Sequence, residues 1–202
     1  TVTTPTVPSI LDDTDVAVFI TGQLNPDTAT AYPLGLSTAA WNPGTDDATF
    51  TRGASGNTAG VSYAVIEFVG DNWKVQRAIN TYASAGTIET QSITAVNSLT
   101  RTFLHAQKRV GSGLNSHSDF GHNVYFSGIG QVSFGLETGA STPGSHTSVA
   151  WIIENTQVIG DTMIVSRSNG SESSGPSPKI ISNSIGVTIS DTQDASIFFN
   201  NH

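Results

Sequence analysis

Apolar and polar residues alternate with a period of two along most of this chain. Nowhere do apolar residues fall at i, i+3, i+4 and i+7 over three helical turns. Runs rich in β-branched and aromatic residues, bounded by Gly, Pro, Asn and Asp, predict strands over residues 16–20, 48–52, 61–69, 73–79, 102–110, 123–126, 131–136 and 148–153. Further strands are predicted over 163–168, 179–181, 185–189 and 196–199, and one or two over 82–96, joined near Ala85-Gly86. Turn chemistry punctuates them at Asn25-Pro26-Asp27, Asn42-Pro43-Gly44-Thr45-Asp46 and Ser127-Gly128-Ile129-Gly130. Gly70-Asp71-Asn72 reads as a hairpin turn from which residues 73–79 return. Residues 32–40 fit neither period, because Pro33 and Gly35 spoil a helix there.

The same pattern occurs twice, and its start a third time. Phe19-Ile20-x-x-Gln23 recurs as Phe103-Leu104-x-x-Gln107 at a shift of 84, and Gly53-Ala54-Ser55 as Gly139-Ala140-Ser141 at a shift of 86. Val61-x-Tyr63 recurs as Val149-x-Trp151 at a shift of 88. Gly70-Asp71 followed by Val75-x-Arg77 recurs as Gly160-Asp161 followed by Val165-x-Arg167 at a shift of 90. The drift is smooth, as small loop insertions make it. Ile10, Asp12, Asp15, Val18 and Phe19 align with Ile189, Asp191, Asp194, Ile197 and Phe198 at a shift of 179, about two repeat lengths.

Short strands with turns every 8–12 residues, repeated in two blocks, predict an all-β fold. We expect two tandem antiparallel β-sandwich domains, Ig-like or jelly-roll-like, arising from an internal duplication. Residues 1–9, with Pro5 and Pro8, form an extended N-terminal arm; 10–92 form the first sandwich and 93–188 the second; 189–202 form a terminal strand or open a third repeat. Val61, Tyr63 and Val65 share one strand face, as do Val149, Trp151 and Ile153; these are expected core faces, with the two aromatics as the large fillers. A terminal strand at Ile197-Phe198-Phe199 needs a partner, from its own domain, from a continuing chain, or from a neighbouring subunit by strand addition.

Composition narrows the function. Only 12% of the 202 residues are charged, the net charge is −8, and eight Lys and Arg are scattered along the chain. That leaves no electrostatic footprint for nucleic acid or an anionic membrane. No apolar run approaches the ~18 residues of a membrane span, so no membrane insertion is expected. The chain has no cysteine, which excludes disulfides and thiol catalysis. Ser and Thr make up roughly a quarter of the residues, a composition that suits an exposed β-rich surface. The chain does not begin with Met and shows no signal peptide, as a processed product or a fragment would.

Candidate chemistry is sparse. His117-x-Asp119-x-x-His122 could hold a divalent metal, but its spacing matches no standard motif and its Ser- and Gly-rich setting reads as a polar loop. Asp12-Asp13-Thr14-Asp15, partly repeated as Asp191-Thr192-Gln193-Asp194, and Asp46-Asp47 could bind Ca²⁺, or form solvated turns. The repeated Gly-Asp and Val-x-Arg elements read as structural: Gly for a tight turn, and Arg77 and Arg167 paired with an acid, for which Glu67 and Glu154 are candidates. His105 and His146 stand alone, and Ser133 and Ser148 have no adjacent His or acid in a known order. No Gly-x-Ser-x-Gly elbow is present. Five Glu and no aromatic-rich cleft argue against a glycoside hydrolase. Trp41 and Trp73, if exposed, could stack on sugar rings; core packing is the usual fate of Trp. Asn169-Gly170-Ser171 is a glycosylation sequon. No catalytic, cofactor-binding or metal residue is assigned, and no cofactor is expected.

Val61-Ser62-Tyr63-Ala64-Val65-Ile66-Glu67-Phe68, followed after a short turn by Val75-Gln76-Arg77, resembles tandem β-sandwich repeats of bacteriophage structural proteins and large bacterial surface proteins. Through the duplication the resemblance covers most of the chain. The second copy departs from it as Val149-Ala150-Trp151-Ile152-Ile153-Glu154-Asn155. It implies an extracellular or virion-surface building block and carries over no catalytic residue. The expectation is a non-enzymatic structural or adhesive protein of an extracellular assembly: a virion head decoration, head fibre or tail protein first, a bacterial surface fibre or adhesin second. Its partners would be copies of itself or other proteins of that assembly. A carbohydrate-binding module contacting cell-surface glycans is the competing class, and a hydrolase would need convergent carboxylates in a pocket.

Overall fold

The computed structural model describes residues 1–3, 7, 10–24, 36–53, 59–84, 86–111, 122–136, 146–158, 163 and 165. Among these residues the chain is all-β, with a single 3₁₀ turn at Leu99–Arg101. The strands of the first half are β1 (Val2–Thr3), β2 (Val16–Leu24), β3 (Ser37–Asn42), β4 (Asp47–Arg52), β5 (Gly60–Glu67) and β6 (Trp73–Thr81). Those of the second half are β7 (Ile88–Ser92), β8 (Thr102–Val110), β9 (His122–Gly128), β10 (Gln131–Leu136) and β11 (His146–Asn155).

They form four antiparallel sheets, β1-β4-β3, β2-β5, β7-β10-β9 and β6-β11-β8. The pairings of the two halves correspond. The β3-β4 hairpin carries β1 on its β4 edge, and the β9-β10 hairpin carries β7 on its β10 edge. β2 pairs with β5 as β8 pairs with β11. β2 carries a bulge between Ile20 and Gly22, where the ladder to β5 shifts register.

β6 breaks the correspondence. The turn at Gly70, whose φ of 102° only glycine adopts cheaply, is where the sequence places it. It does not close a hairpin, however: β5 pairs with β2, while β6 pairs with β11 over nine positions, from Trp73 opposite Asn155 to Thr81 opposite Thr147. A strand numbered within the first repeat thus completes a sheet of the second.

The central strand of that sheet, β11, is buried on both faces. Successive side chains on a strand point to opposite faces, and β11 has apolar neighbours on each. Ala150 and Ile152 join Leu104, Val124, Val132, Phe134, Leu136 and Tyr82 in one core cluster, against the β7-β10-β9 sheet. Val149, Trp151 and Ile153 join Ala17, Val18, Phe19, Ala39, Ala48 and Phe50 in the other, against β2, β3 and β4. All ten residues of β11 are buried. Full burial of a large aliphatic side chain contributes about 1.5–3 kcal/mol, so this strand concentrates the hydrophobic stabilisation of both clusters.

Trp151 is 3% exposed and fills the second cluster as expected. Tyr63 differs. It lies opposite Ile20, packs its ring 4.7 Å from Phe50, and remains 41% exposed. Counted from the glutamate that ends each strand, Tyr63 stands four residues back and Trp151 three, so the two aromatics occupy opposite faces of corresponding strands.

Candidate functional site

Two glutamates end corresponding strands and do the same work. Glu67, at the end of β5, accepts the backbone N–H groups of Leu11 and Asp12 on Oε1, both at 2.7 Å. Glu154, near the end of β11, accepts those of Asn97 at 2.5 Å and Ser98 at 3.3 Å on Oε1. Each carboxylate fixes the loop entering the long strand beside it, β2 or β8, and charge-assisted bonds of this kind are the strong ones. Glu154 is fully buried, and its Oε2 has no hydrogen-bond partner among the described residues. Arg167 lies outside the described residues, and among those described neither glutamate partners Arg77. Arg77 instead donates from Nε to the Ala39 carbonyl at 3.0 Å and lies 5.8 Å over the Trp151 ring. Burial, and secondarily the charge of Arg109, lowers the Arg77 pKa.

The edge of β3 away from β4, which carries no strand among the described residues, is where polar side chains from both halves converge. An edge strand presents unpaired backbone groups, and here side chains satisfy them. Gln107 on β8 accepts from Ala39 N at 2.8 Å and donates from Nε2 to Val18 O at 2.7 Å, tying β8 to β3 and β2 at once. Its repeat partner Gln23 accepts from Ser37 N at 2.5 Å. Arg77 takes Ala39 O, and Arg109 donates to Thr38 Oγ1 at 3.3 Å. His105 shares the Gln107 face of β8, with its ring 4.9 Å from that of Phe19, and burial pushes its pKa down to about 4. Its Nε2 is buried without a partner among the described residues.

A second polar group lies inside the other cluster. Ser148 Oγ is 3.0 Å from the Tyr82 hydroxyl and 3.1 Å from His122 Nδ1, and the Tyr82 hydroxyl donates to Gly135 O at 3.3 Å. Burial pushes the Tyr82 pKa up to about 12, so the phenol stays a donor. The serine without a histidine neighbour in sequence therefore has one in space, 26 residues away. A Ser–His hydrogen bond is the pairing that activates a nucleophile. Ser148 is fully buried, however, and its oxygen is shared with tyrosine and histidine, so the group behaves as a satisfied core network.

Asp12, Asp13, Asp15 and Asp47 of the aspartate patches accept from backbone N–H groups and neighbouring side chains. Asp12 Oδ1 accepts from Thr14 N and Oγ1, at 2.9 and 2.6 Å, which lowers its pKa. Asp13 Oδ2 accepts from Gly44 N at 2.9 Å, and Asp15 Oδ1 from Val75 N at 3.1 Å. Burial raises the Asp15 pKa against the opposing Val75 bond, and the Asp12 charge raises it further. Asp47 accepts from Asn42 Nδ2. No group of three or more His, Asp or Glu positioned for a metal occurs among the described residues. His122 points to Ser148; His117 and Asp119 lie outside the described residues, as do Asp191, Asp194, Arg167, the Asn169 sequon and Ile197-Phe198-Phe199.

Trp41 and Trp73 are half-buried and pack against the second cluster, Trp73 with its ring 5.0 Å from Phe68. A hollow of about 370 Å³ at the end of the β2-β5 ribbon is lined by Gly22, Gln23, Leu24, Gly60, Val61 and Ser62, with no ionisable side chain among them. No helix among the described residues is long and apolar enough to cross a membrane. No protein-family model, curated protein or solved structure matches the chain.

Proposed function

We propose that this chain is a non-enzymatic structural or adhesive component of an extracellular assembly, built by internal duplication of a β-sandwich unit. Its place is the surface of a virion, as a head decoration, head fibre or tail protein. The observation that carries the reading is the manner in which the halves are joined: β11 is buried on both faces between two core clusters, and β6 crosses from one half to complete the sheet of the other. Interlocked units of this kind suit transmission of load and regular spacing, not the opening of a cleft. The polar side chains support it, since Glu67, Glu154, Gln107, Arg77 and Asp15 are spent on backbone groups. The virion placement rests on the resemblance of residues 61–68 and 75–77 to phage and surface-protein repeats.

The test is the native mass by light scattering, paired with negative-stain images. Particles at multiples of the 21.1 kDa chain, forming rings, trimers or filaments, are expected. A monomer at all concentrations, together with specific capture on a glycan array, would replace this reading with carbohydrate binding.

A further inference from the structure

The two halves differ at one edge. β11 is paired on both sides, by β8 and β6, and all ten of its residues are buried. β5 is its counterpart by pairing and by its terminal glutamate. It is paired on one side by β2, and its other edge carries no strand among the described residues. Ser62, Tyr63 and Ile66 are exposed on it, Ile66 at 40%. An open edge with apolar residues on both faces is a template for another strand. Within this fold the strand that fills such an edge is known: β6, laid antiparallel along β11.

The chain contains a second segment of the β6 type. Val75-x-Arg77, which follows Gly70-Asp71, recurs as Val165-x-Arg167 after Gly160-Asp161. The two segments also begin at corresponding places. Val75 N donates to Asp15, in the loop before β2; Val165 N donates to Thr100 O at 2.7 Å, in the loop before β8. From that anchor β6 leaves its own half and pairs with the other.

Resting on the assembly reading above, we infer that the edge of β5 left open among the described residues accepts residues 163–168 of a second copy of this chain, laid antiparallel as β6 lies on β11, so that copies join head to tail. The β6–β11 register sets Val75 opposite Ile153 and Arg77 opposite Trp151. Carried over with Glu67 in the place of Glu154, it sets Val165 opposite Ile66. Val165 then covers the most exposed apolar side chain of the β5 edge apart from Tyr63.

Because the chain has no cysteine, single substitutions report the contact cleanly. Ile66→Cys and Val165→Cys are prepared separately, mixed, and oxidised mildly. The expected product is a dimer linking position 66 of one copy to position 165 of the other. It should form at least about tenfold faster than a dimer of either variant alone, since pairing raises the effective thiol concentration. Ile66→Lys should fold with unchanged circular dichroism and lose the larger particles, as a charge on an edge blocks strand addition. Mixed linkage no faster than self-linkage would overturn the contact, as would a double variant that closes the bond within one chain. Large particles persisting in Ile66→Lys would overturn this contact and leave the assembly reading intact. A wild-type monomer would remove both.

Discussion

His105 should make this protein acid-sensitive over a pH range where most carboxylates are still ionised. Its ring is held between β8 and β2 against Phe19, on a face that also carries Arg77 from β6 and Arg109 from β8. Protonation there would place a third positive charge in an apolar layer without a partner for Nε2. The pKa in the folded protein is about 4 against an ordinary 6.5, with burial as the cause. Between pH 6.5 and 4 the unfolded chain therefore binds a proton that the folded chain refuses, and stability falls as pH falls through that window. Above pH 6.5 both forms are neutral and nothing is lost; below pH 4 both are protonated and the loss is complete. At ~1.4 kcal/mol per pKa unit, the loss on going from pH 7 to pH 4 is about 3 kcal/mol.

The assay is urea unfolding followed by tryptophan fluorescence at several pH values from 7.5 to 4, for wild type and His105→Leu. Carboxylates titrate in both proteins and cancel in the difference. The leucine variant should lose about 3 kcal/mol less than wild type across that range, with the divergence beginning near pH 6.5. Parallel profiles, within about 0.5 kcal/mol at every pH, would show that the ring is hydrated or partnered in solution and that the burial argument is wrong.

Three substitutions test the polar architecture by the same unfolding assay. Glu154→Ala strands two backbone donors at a buried site and should cost about 2–4 kcal/mol, whereas Glu67→Ala, at a more exposed edge, should cost about half of that; equal costs would break the argument from burial. Gln107→Leu keeps the volume but leaves Ala39 N and Val18 O unpaired, so a loss of about 2–3 kcal/mol is expected, and a neutral result would mean that water or another side chain takes over. Gly53→Ala drives a methyl group into the Val110 carbonyl, and the required backbone shift should cost about 1–3 kcal/mol; an unchanged midpoint would show that the loop after β4 moves freely.

The strands legible in the sequence were those whose burial follows from alternation or continuous hydrophobicity. Residues 102–110 and 131–136 have the bounds of β8 and β10. β3 was not legible. Ser37-Thr38-Ala39-Ala40-Trp41-Asn42 is made of small and polar residues with no period. It is held as a strand by β4 on one side and by the side chains of Gln23, Gln107 and Arg77 on the other. Of the one or two strands expected over residues 82–96, one forms among the described residues, β7 (Ile88–Ser92) on β10, while the backbone N–H groups of Ile93 and Val96 beyond it bond Gly130 O and Ile129 O outside the ladder. For the polar groups the limit is distance along the chain. Tyr82, His122 and Ser148 meet only after three strands have packed, and no spacing announces them. The glutamates did leave a signal, an acid closing the same apolar strand in both repeats. Read as a partner for Arg77, that signal pointed to the wrong group, because backbone N–H donors are invisible in a list of side chains.

The position of β11 explains why the repeat is plain in sequence while the halves are not separable in space. Each of its faces must suit a different neighbour: Ala150 and Ile152 meet Phe134 and Leu104, and Val149, Trp151 and Ile153 meet Phe19 and Ala39. A strand buried on both faces cannot alternate apolar with polar, which is why its sequence is continuous, from Val149 to Ile153, where β5 alternates through Ser62. β5, with one neighbouring strand among the described residues, retains a half-exposed pattern, with Tyr63 open on one face and Ile66 on the other. The departures of the second copy from the first are thus the marks of its packing. They fall where β6 and the first half press against β11, and the elements that stay alike are the ones each half supplies for itself, the closing glutamate and the hairpin with its third strand.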